Sequence, residues 1–369
     1  MRRALSAVDI SGELGAVQVL RGLRANRERP DLESLAAEND PERFVRRMLP
    51  HAARSFAASI VMLPREQARA ASVAYLYCRM LDTYEDLLPD LEGKVRELTA
   101  FGARFEHAAP AAPAALPAAA ARDERDRGHL LLVERCALVD TVYATFDDDT
   151  KALISGLVSE MAAGMVWSTE TFAEQGGVLT DTAQLTRYCR IVIGLPTVFL
   201  LELVRSEDFN PDVREDALLV SELVQLANVT RDIEADLERG VGYHPALRPL
   251  LGARPEGPEA TETVRRVREE LTYLALTRAP AYRRMYEGLG LDRRASVRTA
   301  AIVLLLFTSM HYRDCAIATG NVGWRSPRSR SGVIARGLPW LLGARPADRV
   351  LRGVDRDLMN GAAGVRHRL

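Results

Sequence analysis

The chain reads as an all-α, single-domain protein with a central cavity. Apolar residues recur at helical spacing, alternating β-branched runs are scarce, and a polar stripe on an otherwise apolar helix, matched by a second acidic face, reads as the lining of a cavity, with a solvated surface as the alternative. Alanine, leucine, arginine and glutamate, all good helix formers, dominate the composition. With 47% hydrophobic residues in 369, one bundle can bury a sizeable core.

Charge and cysteine usage exclude several classes. The 49 basic residues nearly cancel the 50 acidic ones, so no global field draws the chain to nucleic acid. Cys78, Cys136, Cys189 and Cys315 form no CxxC pair and read as buried thiols of a reducing cytosol. The opening MRRALSAVDISGELG lacks the unbroken apolar run of a signal peptide, so a cytoplasmic location is expected. Ile191 to Val204 and Thr299 to Met310 fall short of the roughly 20 residues that cross a bilayer and are expected as core helices.

In chain order, residues 1–40 are expected as a peripheral segment. Ala108 to Ala121, rich in alanine and proline, reads as an exposed connector between helices, because proline breaks them. Asp147, Asp148 and Asp149 sit at a helix start, where acids favour the positive end of the dipole. Gly252 to Pro258 and Asn321 to Gly332 are expected as loops within one bundle. Arg265 to Glu270 reads as an exposed helix face with internal ion pairs. Arg325, Arg328, Arg330 and Arg336, followed by Trp340, Leu341 and Leu342, read as a solvated tail, with peripheral contact to anionic lipid as the alternative.

The chemistry concentrates in two acidic clusters about 150 residues apart: Asp82, Glu85 and Asp86 in LDTYED, and Asp232 and Asp236 in NVTRDIEAD. Spacings of three and four put each set on one helical stripe. Like charges at that spacing destabilise an isolated helix, so a bound cation is the economical reason for them. Arg79 and Tyr75 continue the first stripe. Gln225 and Asn228 continue the second, on a helix otherwise carrying Leu223, Val224, Leu226, Val229 and Ile233. Five carboxylates in one cavity would repel a diphosphate unless a hard cation such as Mg2+ bridged them. Arg54, Arg79 and Arg231 would add charge-assisted hydrogen bonds to that diphosphate.

Four motifs, in order, resemble the squalene and phytoene synthase family of head-to-head isoprenyl transferases. They are RSFAASIVMLP (Arg54 to Pro64), YLYCRMLDTYED (Tyr75 to Asp86), YCRIVIGLP (Tyr188 to Pro196) and QLANVTRDIEAD (Gln225 to Asp236). The resemblance spans roughly residues 45 to 320, and agreement of all four by chance is improbable. It implies a helical catalytic domain, expected over 41–345, with a tail over 346–369. It also implies that Asp82, Glu85, Asp86, Asp232 and Asp236 hold Mg2+, while Arg54, Ser55, Arg79, Gln225, Asn228 and Arg231 surround the diphosphates. Tyr75 and Tyr188 would stand near the reacting carbons, with Phe56, Ile193 and Thr197 shaping the pocket. An allylic isoprenyl diphosphate would ionise and be attacked by a second isoprenoid. The reductive step of some relatives needs NADPH, for which the sequence has no GxGxxG fingerprint.

Three departures bear on the reaction. The glutamate that the family carries before the final aspartate is Ala235 here, and Glu234 would point about 100° away. The small residues after Tyr188 become Ile193, Gly194, Leu195, Pro196 and Thr197, which would narrow the cavity. An arginine of the downstream loop is missing from GVGYHP, where Val241 and Gly242 precede Tyr243. A narrowed cavity admits a second reading, transfer of a short prenyl group to a small aromatic acceptor. A third, of another class, is a non-catalytic binding relative with a vestigial cavity.

Overall fold

The computed structural model describes residues 31–53, 55–106, 110–204, 212–289, 295–318, 329, 332–333, 336 and 344–366. Within them the α-helices are α1 (Leu32–Ala36), α2 (Pro41–Ala53), α3 (Ser55–Ile60), α4 (Arg65–Leu87), α5 (Leu91–Ala103), α6 (Glu124–Glu134), α7 (Cys136–Ala144) and α8 (Asp148–Glu174). They continue as α9 (Thr182–Cys189), α10 (Leu195–Leu203), α11 (Val213–Glu238), α12 (Pro258–Leu276), α13 (Ala279–Gly288), α14 (Ala295–Ala318) and α15 (Ala344–Arg366). Among the described residues the β structure is one isolated bridge between Val178 and Gly242.

Local chemistry sets the helix limits. Asp90, Asp123, Asp147 and Asp181 each accept a hydrogen bond from a backbone N–H three residues on, which satisfies orphan donors at the starts of α5, α6, α8 and α9. α4 stops where Leu88 turns extended, as a residue before proline must. Its acidic cluster therefore lies in the last two turns, and the same holds for Asp232 and Asp236 in α11. Helix C-termini carry partial negative charge, so both sites attract cations before any ligand is considered.

The core has two main lobes. One gathers around α4 and α8 through Tyr77, Met80, Leu81, Met161 and Met165, and the other around α11 and α14 through Leu223, Leu226, Ile233, Ile302 and Leu306. Buried Glu222 accepts from Arg190 at 2.8 Å and from Arg278 at 3.0 Å, tying α11 to the turn after α9 and to α13. Leaving the buried Glu222 carboxylate unpaired there would be expensive, so the triad fixes how these elements meet.

Several expectations meet the structure here. Pro110 to Ala121 is irregular apart from a 3-10 turn at Ala118–Ala120. The apolar run Ile191 to Val204 is not one α-helix: a π turn over Arg190–Gly194 precedes α10. The charged face of α12 is only partly solvent-directed, since Arg268 reaches across to Glu234 and Glu269 is buried. In the segment expected as a C-terminal tail over 346–369, α15 buries Leu351, Val354 and Leu358 against the bundle. At the other end Leu35 of α1 is buried, so the peripheral segment reaches the core before residue 40. Residues 1–30, Arg325, Arg328, Arg330 and Trp340 to Leu342 lie outside the described residues. All four cysteines are free and buried. No described helix is long and apolar enough to cross a membrane.

Candidate active site

A cavity of about 640 Å³ opens between the two lobes, and both polar stripes line it. From α4 come Tyr75, Arg79, Asp82, Glu85 and Asp86; from α11 come Gln225, Asn228, Arg231, Asp232 and Asp236. Residues about 150 apart in sequence thus share one chamber, as their spacing requires. Phe56, Tyr188, Ile193 and Thr197 line it too. Arg54 lies outside the described residues, as does the side chain of Ser55.

The first wall is ordered from the α4 side. Arg79 donates to the Ala52 carbonyl at 3.1 Å and to the Tyr75 hydroxyl at 3.1 Å, and pairs with Asp82 at 3.0 Å. Ser168 of α8 donates to Glu85 at 3.2 Å. Burial pushes the Asp82 carboxyl up to about 6, opposed by Arg79 and helped by Asp86. Burial, with Asp86 and Asp82 adding, pushes Glu85 up to about 8. Carboxylates so placed are short of positive charge.

The second wall is more heavily paired. Arg231 clamps its neighbour Asp232 through two nitrogens, one at 2.7 Å, and lies 3.3 Å from His311 of α14. Asn228 donates to Gln225 at 3.1 Å. Burial raises Asp236 to about 7, with Arg239 opposing and with Asp232 and Asp86 helping. Asp86 belongs to the opposite wall, so the two clusters share one field.

Arg239 joins them. One nitrogen of its guanidinium lies 3.8 Å from Asp86 and 3.7 Å from Asp236, so the two walls stand no further apart than a single cationic group can span. This supplies a cation two residues upstream of the arginine missing at Val241. Gly242 has its own reason: a Cβ there would stand 3.0 Å from Val178, and the loop packs as a bridge with Gly242 N–H donating to Gly177 at 2.8 Å. That packing sets Tyr243 beside Tyr188, with hydroxyls 3.1 Å apart and Phe172 edge-on to both rings.

Ala235 faces the cavity, whereas Glu234 binds Arg268 of α12 at 2.6 and 2.7 Å and takes no part. Of the residues expected to narrow the cavity after Tyr188, Ile193, Pro196 and Thr197 do line it. Ile191 turns its bulk onto Gly164, where a Cβ would come within 2.5 Å of it, and the Thr197 hydroxyl is turned back on the Ile193 carbonyl at 2.7 Å. The chamber continues past them to Met285, Leu289, Val297 and Ala300.

The sequence reading missed a third wall. Arg122, Arg125 and His129 of the α6 region line the cavity. Arg125 makes no hydrogen bond or ion pair among the described residues, and its Nε is buried without a partner, as is Nε2 of His129. Burial and the charges of Arg79, Arg125 and Arg122 hold His129 neutral, pushed down to about 2. The signal was there, since 125 and 129 share one helix face with Arg122 just before the cap, but the surrounding Asp123, Glu124, Asp126 and Arg127 disguise it as a solvated charge run.

Among the described residues no three acidic, histidine or cysteine side chains form a ready cage for a metal. Mg2+ does not need one: it is commonly held by one or two carboxylates, waters and substrate phosphate oxygens. Facing oxygen donors, raised carboxyls and arginines for the phosphate fit that ion.

Residues 49–312 match the family described as squalene/phytoene synthase, and the chain belongs to it. Its members are transferases of isoprenoid biosynthesis. Lycopaoctaene synthase of Botryococcus braunii is 31% identical over 212 residues, 56% of this chain and 44% of that protein, so the chain spans less than half of that relative's length. The solved complex of TcSQS with the ligand BPH1237 superposes with a TM-score of 0.63 at 18% identity, covering 89% of this chain and 99% of that one. A complex of TcSQS with E5700 gives 0.57, also at 18% identity, covering 89% of this chain and 100% of that one. These structures share the fold.

Proposed function

We propose that this chain condenses two isoprenyl diphosphates head to head in a Mg2+-dependent reaction. The observation that carries the reading is the meeting of two acidic walls across one apolar chamber, spanned by Arg239. Asp82, Glu85, Asp86, Asp232 and Asp236 would hold the metal, which when bound supplies positive charge to the departing diphosphate. Arg79, Arg231, Gln225 and Asn228, with Arg54 and Ser55 from the first motif, would orient that group. Tyr75 and Tyr188 would face the allylic cation, the ring stabilising positive charge and the hydroxyl relaying a proton. Burial raises both hydroxyls above the usual phenol range, so each rests as the neutral phenol.

An isoprenyl acceptor is favoured over an aromatic one, because the chamber runs deep and stays apolar beyond Ile193, with Phe199, Leu200, Leu201 and Leu304 in its walls. The test is incubation of purified protein and Mg2+ with C5, C10, C15 and C20 allylic diphosphates, with and without NADPH or arenes. Diphosphate release and products are read by mass spectrometry. A hydrocarbon or cyclopropyl diphosphate of doubled chain length is expected. Prenylated arene alone would overturn the acceptor assignment, and no release from any substrate by folded protein would leave a binding protein.

A further inference from the structure

Behind the far end of the substrate chamber lies a second pocket of about 210 Å³, enclosed by α13, α14 and α15. Tyr286, Leu305, Leu351, Val354 and Leu358 form its apolar walls, and the charged Arg283, Glu287, Arg352 and Asp355 also line it. Among the described residues Tyr282 alone lines both spaces. The helices explain the partition: Met285 of α13 and its C-cap Leu289 face the substrate chamber while Ala279 and Tyr286 line the second pocket, and on α14 Leu304 lines the first and Leu305 the second. The Tyr282 ring is buried, and its hydroxyl donates to the Ala301 carbonyl of α14 at 2.7 Å, which fixes it across the gap.

Depth can be read along α14. His311 lies 3.3 Å from Arg231 at the acidic end, and Ala301 is ten residues nearer the N-terminus of that helix. At the helical rise this is about 15 Å. A tail whose diphosphate sits at the acids would run along α14 and meet the tyrosine ring there. The outer pocket is closed by α15, which lies beyond the family-matched span of residues 49–312.

We propose that Tyr282 is the floor that sets isoprenyl chain length, and that the pocket behind it receives the distal end of a longer polyprenyl tail once that ring is truncated. This rests on the isoprenyl diphosphate reading above. The physical basis is close packing: a chain one isoprene unit too long must overlap the ring, and even one methylene in an apolar pocket changes selectivity by about 10–200-fold.

The test uses the full chain with Mg2+ and the unreactive C15 and C20 thiolo-diphosphates, farnesyl and geranylgeranyl, with binding read by calorimetry and turnover of the normal diphosphates read in parallel. Tyr282→Ala and Tyr282→Leu are expected to raise the C20-to-C15 ratio of affinities, and of kcat/KM, by about tenfold. Tyr282→Phe, which keeps the ring, should stay near the wild-type ratio. Adding Leu351→Trp to Tyr282→Ala refills the outer pocket and should cancel the gain. An unchanged ratio in folded Ala and Leu variants, or a gain that survives the tryptophan, overturns the proposal. Because binding is read without turnover, an inactive protein would count against condensation, while the calorimetric ratio would still decide the role of Tyr282.

Discussion

The two acidic helices look alike in sequence, yet they are built differently. α4 presents three carboxylates, of which Asp82 pairs with Arg79 and Asp86 lies 3.8 Å from Arg239, while Asp82 and Glu85 are pushed well above the usual carboxylate range. α11 presents two, each already in contact with a guanidinium, Arg231 on Asp232 and Arg239 on Asp236. Where its third acid would be expected stands Ala235, and Glu234 is committed to Arg268. The first wall is therefore the one that keeps a carboxylate, Glu85, with a hydroxyl for its partner, although Asp236 on the second is also raised, to about 7. The second is partly neutralised by the protein itself, which suits it to sharing a metal and a phosphate more than to holding a metal alone.

The largest effect that tests this asymmetry is Asp82→Ala, expected to lower Mg2+-dependent diphosphate release about a thousandfold, the kinetic equivalent of several kcal/mol. Asp232→Ala should lose less, about a hundredfold, and an equal or larger loss in steady-state assays would break the comparison. Next comes the third wall: Arg125→Gln is expected to raise KM for the diphosphate substrate about tenfold, since a charge-assisted hydrogen bond is worth roughly 1.5–3 kcal/mol. An unchanged KM would mean that this guanidinium never meets a phosphate. A sharpening variant is Ala235→Glu, which restores a third acid and should lower the half-saturating Mg2+ concentration severalfold in a titration of activity. Smallest of all, Glu234→Gln should leave that titration unmoved and reduce stability by about 0.5 kcal/mol in denaturant unfolding, because its pair with Arg268 is only partly buried.

Much of this was legible without coordinates. Asp82, Glu85 and Asp86 could be placed on one face because helical spacing fixes neighbours within a turn, and Asp147 could be read as a cap because its chemistry is local. Arg239 was not legible as the residue that spans both walls, since its meaning depends on Asp86, which belongs to another helix. Arg125 looked like one charge among many, and only its burial beside the acids separates it from Arg127 on the solvent side. The placement of Ile191 was not legible for a related reason. Side-chain volume can be counted from the chain, but the gap at Gly164 and the turn that aims Ile191 into it cannot.

Period, capping and composition thus determined by themselves that the protein is helical, where its acids fall on their helices, and that those acids invite a hard cation. Tertiary structure alone decided that the two acidic faces meet within the reach of one guanidinium, that α6 adds a cationic third side, and that Tyr282 stands between two cavities. The division has a physical cause. Helix formation and charge placement are fixed over three or four residues, whereas a cavity is the space left over when distant helices pack, and its shape belongs to no one of them.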